Sequence, residues 1–334
     1  NIRCTISGVQ SIKKYCKTNS ILDIPTCTFM KKVSVIMNCL NSTQYLREAI
    51  DSIYGQTYSN WEIILWDNNS TEDVRSFLVG YDQRLRYYSS NQTVSLGEAR
   101  NKAISKSHGS LIAFLDCDDI WRPKKLSQCV PYFSDEEVGL VYTNWILFNS
   151  KGYNKVVNQG IKQPEGWVFE DILFNNFTCL STLIFRRVIA FEDQIKFDPK
   201  FNYLEDTDFL IRIAREWKFA YVPISLTRYR MHSKSASANK VDEFRKEMFS
   251  LIEKVSALYP DVKTRYNKKL HALNIKDTAV DNWRRGDRST ARSLLRPKVF
   301  INWKYFLIYF IFFLPYPFVN WFKNRLTNNV DYQY

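Results

Sequence analysis

VSVIMNCLNSTQYLREAIDSIYGQTYSNWEIILWD, residues 33–67, decides the fold. VSVIM (33–37) is a continuous apolar run of strand length, and EIILWD (62–67) is a second. Between them Leu46, Ala49, Ile50, Ile53 and Tyr54 recur at i, i+3, i+4, i+7 and i+8, one face of a helix. Strand, helix and strand in that order predict a right-handed crossover between parallel neighbours. Apolar strands without alternation suit a sheet covered on both faces.

The pattern repeats outward from this unit. NNSTED is a polar turn with Ser/Thr capping chemistry, followed by a helical stretch to about Tyr81. The strand LRYYS, the helix LGEARNKAISKS and the strands LIAFLD and GLVYTN (139–144) come next. This alternation predicts an α/β fold with a Rossmann-like, mainly parallel sheet flanked by helices. Ligands of such sheets bind beyond the carboxyl ends of the strands. The residues there are polar: Asn38 and Asn41, Asp67, Asp116 and Asp118. After about Ser150 the alternation fades. FEDILFNN reads as helix and TLIFRR as strand. NYLEDTDFLIRIAREW puts Leu210, Ile213 and Ala214 on one helical face and Glu205, Asp206 and Asp208 in the first turn. Acids at that position also suit the helix dipole. YVPISLTRYRMHSKSAS reads as a strand and then a basic, serine-rich loop.

Composition bounds the class. The chain has 334 residues, 45% hydrophobic and 24% charged, a globular profile with a net charge of +13 that favours anionic partners. From Lys240 onward there are eighteen Lys and Arg against nine Asp and Glu, so most of the basicity is C-terminal. Seven cysteines form no CxxC pair, which argues against a zinc knuckle or disulfide framework and for reduced cytosolic thiols. Residues 1–30 read as an irregular leader without an apolar signal segment. Residues 240–298 read as a basic helical region; DEFRKEMFSLIEKVSALY is amphipathic. AVDNWRRGDRSTARSLL, broken at Gly286, looks like one tetratricopeptide-type helix pair. Residues 299–334 form a hydrophobic, aromatic-rich tail. Its core, Tyr305 to Val319, is shorter than the ~20 residues a span needs, and Pro315 and Pro317 interrupt it. Lys304 precedes it, and Lys323 and Arg325 follow, so the tail is expected to lie on a membrane as an interfacial or re-entrant anchor.

The stretch from VSVIM to NNSTED, followed by LGEARNKAISKSHGSLIAFLDCDDIWRPKKL, resembles the nucleotide-diphospho-sugar transferases of the GT-A fold, in particular glycosyltransferase family 2. LEDTDFLIRIA and YRMHSKSAS resemble that family's acceptor-side acid motif and closing loop. The likeness runs from Val33 to Ser237, within a domain placed at residues 31–239. It implies that Asp116-Cys117-Asp118 is the DxD motif, with Asp118 on a metal and Asp116 on the ribose. It further implies that Asn38, Asp67 and Arg100 serve the nucleotide, Asp67 by accepting from the base. Asp206 becomes the catalytic base, with Glu205 orienting the acceptor or replacing it. His232 completes the metal shell or meets the diphosphate. Two departures stand out. Asp67-Asn68 replaces two adjacent acids, and Asn38-Cys39-Leu40-Asn41 replaces a motif that has proline and tyrosine. Plainer readings exist: an acidic turn at the DxD, Asp119 capping a helix near Trp121, Arg100 paired with Glu98 or Asp82, and His232 on a surface loop.

The implied activity is an inverting, metal-dependent transfer of sugar from a nucleotide-sugar, expected to be a UDP-sugar, with Mn2+ or Mg2+. The acceptor is a saccharide or is lipid-linked, as in bacterial O-antigen, capsule or lipopolysaccharide synthesis. The expected place is the cytoplasmic face of the plasma (inner) membrane, peripheral or monotopic, against an anionic surface. No nucleic-acid motif accompanies the positive charge, so nucleic acid is not expected as a partner. A nucleotidyltransferase would carry a glycine-rich loop where NCLNSTQ stands. A non-catalytic nucleotide-sugar-binding protein would not need both sets of acids.

Overall fold

The computed structural model describes residues 30–232, 241–299 and 303–327. The leader, Ser233 to Ser237 of the basic loop, and Cys4, Cys16 and Cys27 lie outside them. Strand β1 (Val33–Cys39), helix α1 (Leu46–Tyr54) and strand β2 (Trp61–Asp67) form the first crossover. β1 and β2 are parallel, with Val33 opposite Trp61 and Cys39 opposite Asp67, so both strands end level. α1 buries Leu46, Ala49, Ile50 and Ile53 against them, the stripe visible in the sequence. β3 (Leu85–Ser89) joins β2, α2 (Leu96–Ile104) crosses back, and β4 (Leu111–Phe114) pairs parallel with the other side of β1. The winding therefore reverses at β1, and a crevice opens beyond the carboxyl ends of β1 and β4.

Along β1, Val35 and Met37 face one apolar core with α1, while Ile36 faces a second core with α2, so both faces are covered. The other half of the sheet differs from the expected parallel arrangement. It comprises β5 (Ile120–Trp121), β6 (Val138–Phe148), β7 (Asn154–Val156), β8 (Ile184–Arg186) and β9 (Lys218–Arg230), in the order β3-β2-β1-β4-β8-β6-β9-β5 with β7 on β6. β8 runs antiparallel to both β4 and β6, and β6 runs parallel to β9, giving a mixed sheet. β8 is three residues long, too short to carry periodicity, and its direction is set by docking. The helix expected up to Tyr81 is a short 3-10 turn, Val74–Leu78, which Asp73 caps. Gly80, at φ +98, ends it in a conformation that favours glycine.

Helices α3 (Lys125–Cys129), α4 (Phe169–Phe174), α5 (Arg187–Phe191) and α6 (Glu205–Glu216) flank the sheet. α7 (Val241–Leu258), α8 (Pro260–Arg265) and α9 (Asn267–Arg284) pack onto the α6 side through Leu251, Ile252, Val255, Val262 and Leu270. Asp208 of α6 is fully buried and bridges Arg212 at 2.6 Å and Lys254 of α7 at 2.6 Å, a structural use of that acid.

Gly286 turns α9 into α10 (Arg288–Leu295), and α11 (Trp303–Ile311) and α12 (Tyr316–Thr327) follow. Tyr305 and Phe312 pack on Ala279, Trp283, Ala291 and Leu295. Trp283 Nε1 donates to Leu314 O at 2.8 Å, and Arg288 and Arg292 donate to Phe313 O and Phe312 O at 3.1 and 3.3 Å. These groups satisfy carbonyls that the end of α11 leaves free. The outward face keeps Trp303, Phe306, Phe310, Phe313, Phe318 and Trp321 exposed. Among the described residues no helix is long and apolar enough to cross a membrane.

Candidate active site

The crevice is built from four chain ends. β2 ends at Asp67, whose Oδ1 accepts from Ser70 N–H at 2.8 Å and whose Oδ2 accepts from the Tyr87 hydroxyl at 2.7 Å. Asn68 uses its whole amide on Val94, donating to the carbonyl at 2.8 Å and accepting from the N–H at 3.2 Å. A carboxylate could not donate to Val94 O, so the departure from two adjacent acids has a local reason. Asn41 adopts a left-handed φ of 51°, and its Oδ1 accepts from Thr71 N–H at 2.8 Å. It pins the loops after β1 and β2 together. Asn38 takes the Cys117 thiol on its carbonyl at 3.2 Å, while its buried Nδ2 has no protein partner. Cys117, 4% exposed, thus fills space and ties the acidic loop to β1.

The acidic loop follows β4. Ser181 holds it through Asp116 N–H at 3.1 Å and Trp121 Nε1 at 2.8 Å. Asp116 faces the crevice. Desolvation pushes its carboxyl up to about 6; Arg100 opposes the shift, and Asp118 and Asp206 add to it. Asp118 Oδ2 lies 2.9 Å from His232 Nε2, and both side chains are partly exposed. Asp119 does not cap a helix: Ile120 and Trp121 form β5, and α3 starts only at Lys125. Its buried Oδ1 instead accepts from Arg230 N–H at 3.0 Å. Lys125 of the same stretch turns inward and donates to Thr182 O at 2.8 Å.

The other acids come from α6. Gly97 lets the first turn of α2 approach: a Cβ there would meet Phe197 Cβ at 3.3 Å and Glu205 Cβ at 3.6 Å. Arg100, one turn on and 5% exposed, pairs with Glu205 Oε1 and lies 3.9 Å from Asp116 Oδ1. The partners expected from its surroundings in sequence, Glu98 and Asp82, are not the ones it takes. Glu98 pairs with Lys102 and Asp82 with Arg84. Burial pushes Glu205 up to about 7 against the pull of Arg100, with Asp206 adding to the rise. Its Oε2 is buried without a protein partner. Asp206 accepts from Thr207 N–H at 2.6 Å, and burial raises its carboxyl above the ordinary range, again against Arg100.

Residues 34–191 match the family model for Glycosyl transferase family 2. The chain carries a glycosyltransferase family 2 domain. It is 28% identical over 222 residues to TuaG of Bacillus subtilis, named for teichuronic acid biosynthesis, covering 65% of this chain and 86% of the relative. It is 26% identical over 219 residues to WfgD of Escherichia coli, a UDP-Glc:alpha-D-GlcNAc-diphosphoundecaprenol beta-1,3-glucosyltransferase, covering 64% and 83%. In structure it is similar to the mannosyltransferase PcManGT of Pyrobaculum calidifontis, solved with GDP-Man and Mn2+. That match has a TM-score of 0.57 and 18% identity, and covers 81% of this chain and 75% of that one. The fold is that of GT-A glycosyltransferases, and the chain is a glycosyltransferase.

Two residues of this glycosyltransferase had no signal in the sequence. Glu247 of α7 accepts from the N–H groups of Asn202, Tyr203 and Leu204 at 2.8, 2.8 and 3.1 Å, and so sets the start of α6 and its acids. Arg230, two residues before His232, donates Nε to Asp118 O at 2.8 Å and lies 4.0 Å over the Tyr45 ring. It joins the His232 segment to the acidic loop. Both partnerships span more than forty positions, which local periodicity cannot display.

Asp118 and His232 bring one carboxylate oxygen and one imidazole nitrogen together at 2.9 Å. Among the described residues no group of three or more His, Cys, Asp or Glu could hold a metal ion. A hard cation held by these two would need its remaining ligands from water and phosphate.

Proposed function

We propose that this chain transfers a sugar from a UDP-sugar to a lipid-linked or saccharide acceptor by a single, inverting displacement. The observation that carries the reading is the buried Arg100 bridge, which joins the acidic loop after β4 to the acids that open α6. It brings the acids that would face the donor next to those that would face the acceptor.

Asp67, Asn38 and Asp116 would hold the nucleoside, Asn38 with the amide that has no protein partner. Arg100 would stay close enough to favour negative charge on the diphosphate. Asp118 and His232 would hold Mn2+ or Mg2+, which when bound offsets the charge that collects on the leaving diphosphate. Asp206 would take the proton of the attacking hydroxyl, and its raised proton affinity is the direction a base requires. Glu205 would orient the acceptor beside it. With no nucleophile attacking first, the anomeric configuration inverts. UDP is chosen over other bases because the WfgD relative is named for UDP-Glc. The same name, and that of TuaG, support an acceptor in cell-surface polysaccharide synthesis.

A screen of UDP-, dTDP- and GDP-sugar hydrolysis with Mn2+ or Mg2+ tests this reading. One donor class should be cleaved in a chelator-sensitive way, and Asp118→Ala should abolish that cleavage. Cleavage that ignores chelator, or survives the substitution, would overturn the metal assignment.

The exposed aromatic face of α11 and α12 supports a place on the cytoplasmic face of the plasma membrane, with basic residues meeting anionic lipid. Phe310→Glu with Phe313→Glu should stop the protein floating with anionic vesicles. Unchanged flotation would remove this face from the account.

A further inference from the structure

A partly open pocket of ≈ 250 Å³ lies between α4, α6, α7 and α9. Apolar side chains, among them Leu173, Phe174, Ile211, Met248, Leu251 and Leu273, make most of its wall. The charged side chains that reach it are already paired: Arg245 binds Asp281 at 2.8 Å and lies 3.8 Å from Asp277. The pocket therefore offers no free charge to an anion and a mainly apolar lining to a hydrocarbon.

One chain of hydrogen bonds connects it to the chemistry. Asn176 and Thr207 line one part of it; Asn176 Nδ2 donates to Thr207 Oγ1 at 3.0 Å, and Thr207 Oγ1 donates to Asp206 Oδ1 at 3.2 Å. The pocket wall is thus hydrogen-bonded to the proposed base.

Leu270 and Leu273 of α9 line the pocket, and Trp283 of the same helix packs against Phe312 and Tyr316 beside the exposed aromatic face. The rise of a helix puts Leu270 and Trp283 roughly 20 Å apart.

We infer that this pocket binds the hydrocarbon chain of a lipid-linked acceptor and so presents the acceptor hydroxyl to Asp206. The inference rests on the lipid-linked acceptor proposed above. It narrows that reading from an acceptor class to a binding site separate from the donor crevice.

Prenyl monophosphates are suitable probes, titrated calorimetrically into the full chain with UDP present to fill the donor site. Farnesyl monophosphate should bind at least about tenfold tighter than dimethylallyl monophosphate, since each further buried methylene adds to affinity. Met248→Trp and Leu273→Trp, each filling the pocket, should remove that difference and leave UDP binding unchanged. Equal affinity for the two probes, or a difference that survives both substitutions, would overturn the inference. A photoreactive farnesyl analogue on the unmodified protein gives an answer that does not depend on how the variants fold. Labelling should fall on α4, α7 or α9, and labelling confined to residues 303–327 would place the chain on the outer aromatic face instead. Donor hydrolysis measured in the same samples reports on catalysis, so a failed pocket and a failed enzyme assignment give different results.

Discussion

Glu62 and Glu205 are two buried glutamates at opposite ends of one sheet, 3% and 5% exposed. Glu62 opens β2, far from the crevice. It accepts from Ser34 Oγ at 2.7 Å, His108 N–H at 2.7 Å and Lys32 Nζ at 2.9 Å. Gly109 makes room for this cluster, since a Cβ there would lie 2.6 Å from Lys32 O. Burial alone would raise the Glu62 carboxyl, but these donors outweigh it and hold the group at about 2. Glu205 has Arg100 on one oxygen and no protein partner on the other, lies beside Asp206, and rises to about 7. Both are nearly closed to solvent, yet the results are opposite. Glu205 lies deeper and has fewer donors around its carboxylate, and both differences push its proton affinity up.

The contrast can be broken in order of effect. Asp206→Asn should lower kcat roughly 10²–10⁴-fold, the usual contribution of a positioned base, with donor affinity unchanged by calorimetry. Ordinary turnover would mean that the base lies elsewhere. Glu62→Gln should do the reverse. Urea unfolding should show a loss of roughly 3 kcal/mol at neutral pH, the value of a shift from 4.5 to about 2. Activity per folded molecule should be retained. The sign follows from the lowered value: Glu62 stabilises the fold above about 4.5, and that contribution disappears as pH falls towards 2. Glu205→Gln should not lower stability at neutral pH, because burial disfavours the charge it removes and Arg100 keeps Asp116 at 3.9 Å. Here the sign is opposite. A raised value stabilises the protonated fold at low pH, and that stability is lost as pH climbs from 4.5 through about 7. The variant should therefore become relatively more stable with rising pH, and a large loss at pH 8 would equate Glu205 with Glu62.

The sequence makes the site's two halves legible unequally. β1, α1, β2, β3 and α2 are long or periodic enough to read directly, and the polar residues at their ends mark the crevice. The mixed half is not legible, because β8 has three residues and β5 two, and their directions depend on what they dock against. The acids Asp116, Asp118 and Asp119 stand out in the sequence at the end of an apolar run. The partners that tune them do not. Arg100 meets Glu205 across 105 positions, and Glu247 reaches back to cap α6. The partner of Asp119 is hidden for the same reason, since β9 arrives from 111 positions away to claim its carboxylate.

One measurement tests the contrast most directly: a ¹³C-carboxyl NMR titration of Glu62 and Glu205 in the same metal-free sample. Glu205 should titrate near 7, while Glu62 stays ionised down to about 2. Midpoints that coincide near the ordinary 4.5, or a Glu62 midpoint above that of Glu205, would contradict the account.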